Sequence, residues 1–283
     1  MTQKTASSRK PVPLVIFPTE LLSIPTTNTT IVEPGPEPID KPPLLTGITH
    51  DSVYSFYGLF DDEAGTAAPH SLAMSAAVSI ASTSDGNPDR LAGVLHRFLE
   101  NAQRDCMTEA APPDQRQIIQ ACWLVVRMFK PSEEYEVPRW HRDGRMFPCS
   151  CSTVKTQEEG EDKRLPHSKY AVTLLGPPTR VLKPHEAVDA ALDRVRENRG
   201  LGYDESRERA ELAEASRGCE EYEVRRGQVI RFSWGQGDSP VHSEPDFGGE
   251  DRVFVSVLFG SEEEIREMCR WRQETFGEVK VRG

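Results

Sequence analysis

Apolar and polar positions change their period several times along the chain, and each change marks an element. After Asn87 and Pro88, the residues Leu91, Val94, Leu95, Phe98 and Leu99 recur at helical spacing. That stretch predicts an amphipathic helix capped by Asn87, with Pro88 in its first turn and its apolar stripe laid on a sheet. Ala121 to Phe129 is almost continuously apolar and stops at Lys130-Pro131, which predicts a buried strand that follows a short helix. Tyr170 to Leu175 predicts a second strand, ended by Gly176-Pro177-Pro178, with Thr179 to Leu182 as a short return strand. Further strands are predicted over Tyr222 to Val224, over Gln228 to Phe232 after the Arg226-Gly227 turn, from near Val241, and over Val253 to Phe259. Ser261 and Glu264 have capping-box spacing, so a helix is expected over 262–275.

Other stretches lack such periods. Residues 1–45 are rich in Pro, Ser and Thr and are expected to be a disordered segment, although Leu14 to Phe17 has the composition of a short strand or anchor. Residues 148–167 are polar and aperiodic and read as an exposed loop. Over 184–217 Ala, Glu and Arg dominate, which predicts a solvent-facing helical insertion broken at Gly200-Leu201-Gly202. Val188, Leu192, Val195 and Leu212 supply too little core for that insertion to fold alone. The expected organisation is therefore one domain over 46–283, with a β core at about 120–260.

Composition then removes several classes of function. A formal net charge of -11 over 283 residues argues against a general nucleic-acid or anionic-membrane binder. No apolar run approaches the ~20 residues of a membrane span. Lys4, Arg9 and Lys10 stand in an acid-free start, but its prolines and missing amphipathic period argue against a transit peptide. Six scattered cysteines fit a reduced, intracellular setting, cytoplasmic or nuclear, and the lone pair Cys149 and Cys151 lacks the four ligands of structural zinc.

The candidate chemistry lies in Trp140-His141-Arg142-Asp143 and in the distant Val241-His242. A histidine and an aspartate at i and i+2 project from one face of an extended segment, so they can grip one cation, and a second imidazole completes the set. Two histidines and one carboxylate on one side of a metal leave the other side open, which is the arrangement of non-haem Fe(II) oxygenases. The pair alone is weak evidence, because His242-Ser243-Glu244 has the same spacing. Its position between two strong strands is what raises it. Arg252 opens the last strand and offers a fork for a carboxylate, with a structural ion pair to Asp246, Glu250 or Asp251 as the alternative.

His141-Arg142-Asp143, the distal His242 and the basic Arg252 together resemble the Fe(II)/2-oxoglutarate-dependent dioxygenase superfamily. The resemblance covers about residues 120–260 and includes the strands at Tyr170 to Leu175, Gly227 to Phe232 and Arg252 to Ser256. It implies an α+β protein with a double-stranded β-helix core, jelly-roll or cupin-like, with flanking helices. It also implies Fe(II) on His141, Asp143 and His242, and 2-oxoglutarate on Arg252, with Tyr170 and Ser256 as polar contacts. Many members carry Ser or Thr two residues after the basic residue, where this chain has Phe254. Trp140, Phe232 and Trp234 are candidate walls for a small-molecule or protein substrate, or plain core. The 148–167 loop and the 184–217 insertion are candidate lids or partner surfaces, or simply solvated charge. Two rival readings remain at this level: a cupin-like metal- or ligand-binding barrel without turnover, and an interaction protein in which the motif is accidental.

Overall fold

A capped helix and a buried strand anchor the architecture. The computed structural model describes residues 15–17, 43–59, 68–107, 119–143, 167–198, 204–234 and 239–276. Asn87 caps α2 (Pro88–Asp105), its side chain accepting a hydrogen bond from the Arg90 N–H at 3.0 Å. Leu91, Leu95, Phe98 and Leu99 are buried on the face this helix turns inward. Each such side chain contributes about 2 kcal/mol by leaving water. They share one core with the buried Ala73, Ala76, Ala77 and Ile80 of α1 (Ala68–Ala81). Neither α1 nor β2 (Ser52–Leu59) is among the predicted elements. The inward stripe of α1 is mostly alanine, which gives little hydrophobic contrast but lets two helices pack closely.

Six strands form one antiparallel sheet. These are β1 (Val15–Phe17), β2, β3 (Ala121–Phe129), β4 (His167–Leu175), β6 (Val229–Trp234) and β8 (Arg252–Gly260), in the order β1-β6-β4-β8-β3-β2. A smaller sheet pairs β5 (Arg180–Val181) with β7 (His242–Ser243), extended by the bridges His141↔His242 and Leu182↔Glu221. From β3 onward the chain crosses repeatedly between the two sheets: β3 large, His141 small, β4 large, β5 and Glu221 small, β6 large, β7 small, β8 large. That winding is a double-stranded β-helix, the two-sheet jelly roll expected from the sequence.

Strand alternation gives the large sheet two different faces. Leu124, Val126, Tyr170, Val172, Val255 and Val257 join the core shared with α1 and α2. Their neighbours Val125, Arg127, Lys169, Phe254 and Ser256 line a cavity on the other side. This alternation corrects the assignment of Tyr170 as a cosubstrate contact. Its ring is fully buried on the helix side and its hydroxyl donates to Asp105 Oδ2 at 2.7 Å, where Arg231 Nη1 also donates at 2.7 Å.

The insertion is not simply solvent-facing. It forms α3 (Glu186–Asn198) and α4 (Glu205–Ala215), and Val188, Ala191, Val195 and Leu212 bury themselves with Trp140, Leu182 and Val241. The predicted strand over Tyr222 to Val224 shrinks to the Glu221 bridge and one hydrogen bond from the Tyr222 N–H to Val181 O. A strand of β5's length leaves it no longer ladder to join. Ser261 and Glu264 exchange backbone hydrogen bonds at 3.0 and 3.2 Å, starting α5 (Glu262–Phe276) with the expected capping box. The N-terminal segment apart from β1, the Cys149 and Cys151 pair, residues 148–166 and the Gly200 to Gly202 break lie outside the described residues. Among the described residues no helix is long and apolar enough to cross a membrane.

Arg231 and Asp105 are both largely buried, so removing one partner strands a charge. Arg231→Met is expected to destabilise the fold by about 3 kcal/mol in urea denaturation. Tyr170→Phe should cost only about 1 kcal/mol. It should also leave the binding of any ligand in the cavity on the other face unchanged, which separates its back-of-sheet role from a cosubstrate contact.

Candidate metal centre

Two separated segments meet at one point because the small sheet holds them in register. His141 N–H donates to His242 O and His242 N–H to His141 O, both at 2.9 Å. This pairing brings the two imidazole rings to a centroid distance of 4.4 Å. Asp143 stands two residues beyond His141, and extended backbone turns both side chains to one face. One ligand atom from each of His141, Asp143 and His242 lies within 4.8 Å of the others. Both Asp143 and His242 are buried, while His141 is half-buried at the cavity.

The donor set fits a cation. His141 Nδ1 lies 2.7 Å from Arg139 O, and His242 Nδ1 lies 3.0 Å from Pro240 O. A carbonyl only accepts, so each Nδ1 carries the proton and each Nε2 keeps a lone pair in the neutral ring. Those Nε2 atoms lie 3.9 Å and 3.6 Å from the Asp143 carboxylate oxygens. Two lone pairs turned toward a carboxylate are electron-rich with nothing to share, and a divalent ion reconciles them. Phe232 stacks on His242 at 4.6 Å and 16°, which fixes the ring plane and removes water from one side.

Charge around the triad keeps the ligands in their binding forms. Burial pushes the His141 imidazole down to about 4, reinforced by the neighbouring His242 and opposed by Glu244 and Asp143. Burial lowers His242 as well, against the attraction of Asp143. Burial would raise Asp143, but Lys169 and the two histidines outweigh it and hold the carboxyl well below its usual range. Glu244 is likewise held down to about 2: burial opposes ionisation, and the Arg139 guanidinium overcomes it. Arg139 Nη2 donates to Glu244 Oε1 at 2.8 Å, so the second His-x-Glu pair is spent on an ion pair rather than on the metal.

Lys169 is the site residue that the sequence analysis missed. Its Nζ donates to Asp143 Oδ2 at 2.7 Å, leaving Oδ1 as the freer oxygen. The signal was present as a lysine beside Tyr170, on the alternate face of a strand that is otherwise apolar inward.

The remaining candidates separate cleanly. Arg252 is fully buried and lines the same cavity as the triad, donating from Nε to Pro177 O and from Nη2 to Thr179 Oγ1, both at 3.1 Å. Phe254 lies under its guanidinium at 4.8 Å and Phe247 at 5.9 Å. Asp251, an alternative partner for it, instead pairs with Lys130 at 2.7 Å and accepts from the Ile48 N–H. Ser256 lies on the cavity wall, and Tyr170 does not. Trp140 and Phe232 are buried and line the cavity, whereas the Trp234 side chain lies outside the described residues.

The histidine shifts have a consequence for the metal-free protein. Between pH 6.5 and about 4 the unfolded chain binds a proton at His141 that the folded chain refuses, so stability falls as pH falls through that window. The thermal midpoint of metal-free protein should drop from pH 7 to pH 4.5, and His141→Gln should flatten that slope. An equal slope in both proteins would contradict the neutral-imidazole assignment.

No protein-family model matches this sequence, and no curated protein sequence does. Among solved structures the chain is similar to HygX from Streptomyces hygroscopicus with nickel and 2-oxoglutarate bound, at 14% identity and a TM-score of 0.31. That match covers 58% of this chain and 61% of HygX, so it spans less than two thirds of that protein. It is also similar to the viral collagen prolyl hydroxylase vCPH from Paramecium bursaria Chlorella virus-1, at 11% identity and a TM-score of 0.32, over 80% of this chain and 97% of that one. At such values the likeness concerns the course of the chain, and the chemistry of this site stands on its own geometry.

Proposed function

We propose that this protein is a non-haem Fe(II)/2-oxoglutarate-dependent oxygenase that hydroxylates or otherwise oxidises a C–H bond of its substrate. The observation that carries this reading is the convergence of His141 Nε2, His242 Nε2 and the Asp143 carboxylate at the wall of a large cavity. In this reading His141, Asp143 and His242 hold Fe(II), and Arg252 anchors the distal carboxylate of 2-oxoglutarate. An Fe(II) ion held there would supply oxidising chemistry able to take hydrogen from a C–H bond.

The chain's own residues bind, orient and exclude water. Arg139 O and Pro240 O hold the imidazoles in the tautomer that offers Nε2. Lys169 steadies Asp143 through Oδ2, which also lies 3.6 Å from His242 Nε2, while Oδ1 lies 3.9 Å from His141 Nε2. Arg252 is pre-set by Pro177 O, Thr179 and the Phe254 ring, which lowers the entropy cost of gripping an organic acid. Ser256 adds a hydroxyl on the same strand face. Trp140 and Phe232 give the cavity apolar wall near the triad, where a water-poor setting strengthens each polar contact.

A second reading, a cupin-like metal- or ligand-binding barrel without turnover, draws on one observation. Lys169 already places a positive charge 2.7 Å from the Asp143 carboxylate.

Anaerobic addition of Fe(II) and 2-oxoglutarate to metal-free protein is expected to produce a weak visible charge-transfer absorption. His141→Ala, Asp143→Ala and His242→Ala should each weaken metal binding by roughly 100-fold and abolish that band. Metal at about 100 times its dissociation constant should stabilise the wild type by about 2.7 kcal/mol. Arg252→Lys should keep the metal and lose about tenfold in 2-oxoglutarate affinity. Metal binding without 2-oxoglutarate consumption across candidate substrates would favour the barrel without turnover, and equal stability with and without metal would favour an interaction protein.

A further inference from the structure

The cavity is larger than the metal and an organic acid need, at about 1030 Å³. Its floor is the inner face of β2, β3 and β8, and these strands contribute no acidic side chain to it among the described residues. This is notable in a chain of net charge -11. The acids of the cavity stand elsewhere: Asp143 and Glu244 at the metal end, and Asp193, Glu205 and Glu208 on α3 and α4. Four of the eight lysines and arginines that line the cavity are matched by carboxylates. Arg139 pairs with Glu244, Lys169 with Asp143, Arg142 with Asp189 and Arg209 with Glu205.

Arg127 differs from them. It is half-buried on the floor, and among the described residues no carboxylate, carbonyl or hydroxyl accepts from its guanidinium. In the sheet it stands opposite Phe254 on one side and Val53 on the other, with Val125 and Phe129 before and after it on the same strand face. A guanidinium keeps its charge at any physiological pH and offers five donors. Partly withdrawn from water among apolar side chains, it carries a desolvation cost that an incoming anion offsets.

Register places this charge relative to the proposed chemistry. Because Arg127 faces Phe254, it lies diagonally from both Arg252 and Ser256, with side-chain bases about 7 Å away. It therefore sits one strand beyond Arg252, on the side of β8 away from β4 and β6, whose Lys169 and Phe232 adjoin the triad. A cosubstrate held by Arg252 would leave Arg127 facing the remaining cavity.

We propose that Arg127 is the anion subsite for the substrate, a small molecule with one carboxylate and an apolar body that lies along Val125, Phe129 and Phe254. One guanidinium balances one negative charge, which favours a carboxylate over a doubly charged phosphate ester. The two-pronged carboxylate geometry fits its fork. The role of Arg127 as a substrate anchor rests on the oxygenase reading, whereas the anion site itself does not.

The test is calorimetric binding to metal-free protein of 4-phenylbutyrate, its neutral amide 4-phenylbutanamide, and phenethyl phosphate. Nickel(II) and 2-oxoglutarate are titrated in parallel on the same proteins. The wild type is expected to bind the carboxylate roughly tenfold more tightly than the amide, and more tightly than the phosphate. Arg127→Gln should lose the preference over the amide while nickel and 2-oxoglutarate affinities stay unchanged, and Arg127→Lys should keep part of it. The proposal is overturned if the wild type shows no such preference, if the preference survives in Arg127→Gln, or if that variant loses 2-oxoglutarate affinity instead. Tighter binding of the phosphate than of the carboxylate would overturn the substrate class. If nickel fails to bind the wild type while the carboxylate preference depends on Arg127, the oxygenase reading falls and the anion site is supported as a ligand site of another kind.

Discussion

The paired hydrogen bonds between His141 and His242 are the constraint on which the site depends. They join two stretches far apart in sequence through one antiparallel bridge, and they set the distance between the two rings. Each imidazole then uses its Nδ1 on a carbonyl two residues earlier, so backbone geometry decides which nitrogen is available. A candidate metal centre built this way gains precision from the sheet rather than from long side chains.

Around that bridge the protein divides its charges by face. The inner surface of the large sheet carries Lys169, Arg127 and Arg252, while the outer surface buries the Arg231, Asp105 and Tyr170 network under the helices. Burial on either face raises the cost of an unmatched ion, so each buried charge has a definite job. Lys169 steadies Asp143, Arg231 ties the sheet to the end of α2, and Arg252 is held by Pro177 O and Thr179 Oγ1 between two aromatic rings.

The insertion contributes to this division. α3 and α4 attach to the small sheet through Val188, Ala191, Val195 and Leu212, and they turn Leu192, Asp193, Glu205 and Glu208 toward the cavity. Arg142, one residue from both His141 and Asp143, reaches Asp189 on α3 at 2.6 Å. The wall of the cavity is thereby coupled to the segment that carries the ligands. The cavity carries charges of both signs on its insertion side and only cations on its floor among the described residues, an asymmetry suited to orienting a charged guest.

Much of this was legible in the sequence because it depends on local order. The helix after Asn87, the strands at 121–129 and 252–260, the capping box at Ser261 and the one-face spacing of His141 and Asp143 all follow from periods and caps that neighbouring residues impose. What the tertiary structure decided is which face of each strand meets which layer. Tyr170 and Lys169 are adjacent in the chain, and alternation alone sends one to each side without saying which side faces the candidate triad. The alanine stripe of α1, the docking of the insertion and the partners of Arg252 and Arg127 were likewise invisible, because they depend on which segments pack together. Sequence spacing selected the candidate ligands, and long-range pairing within the small sheet placed them around one point.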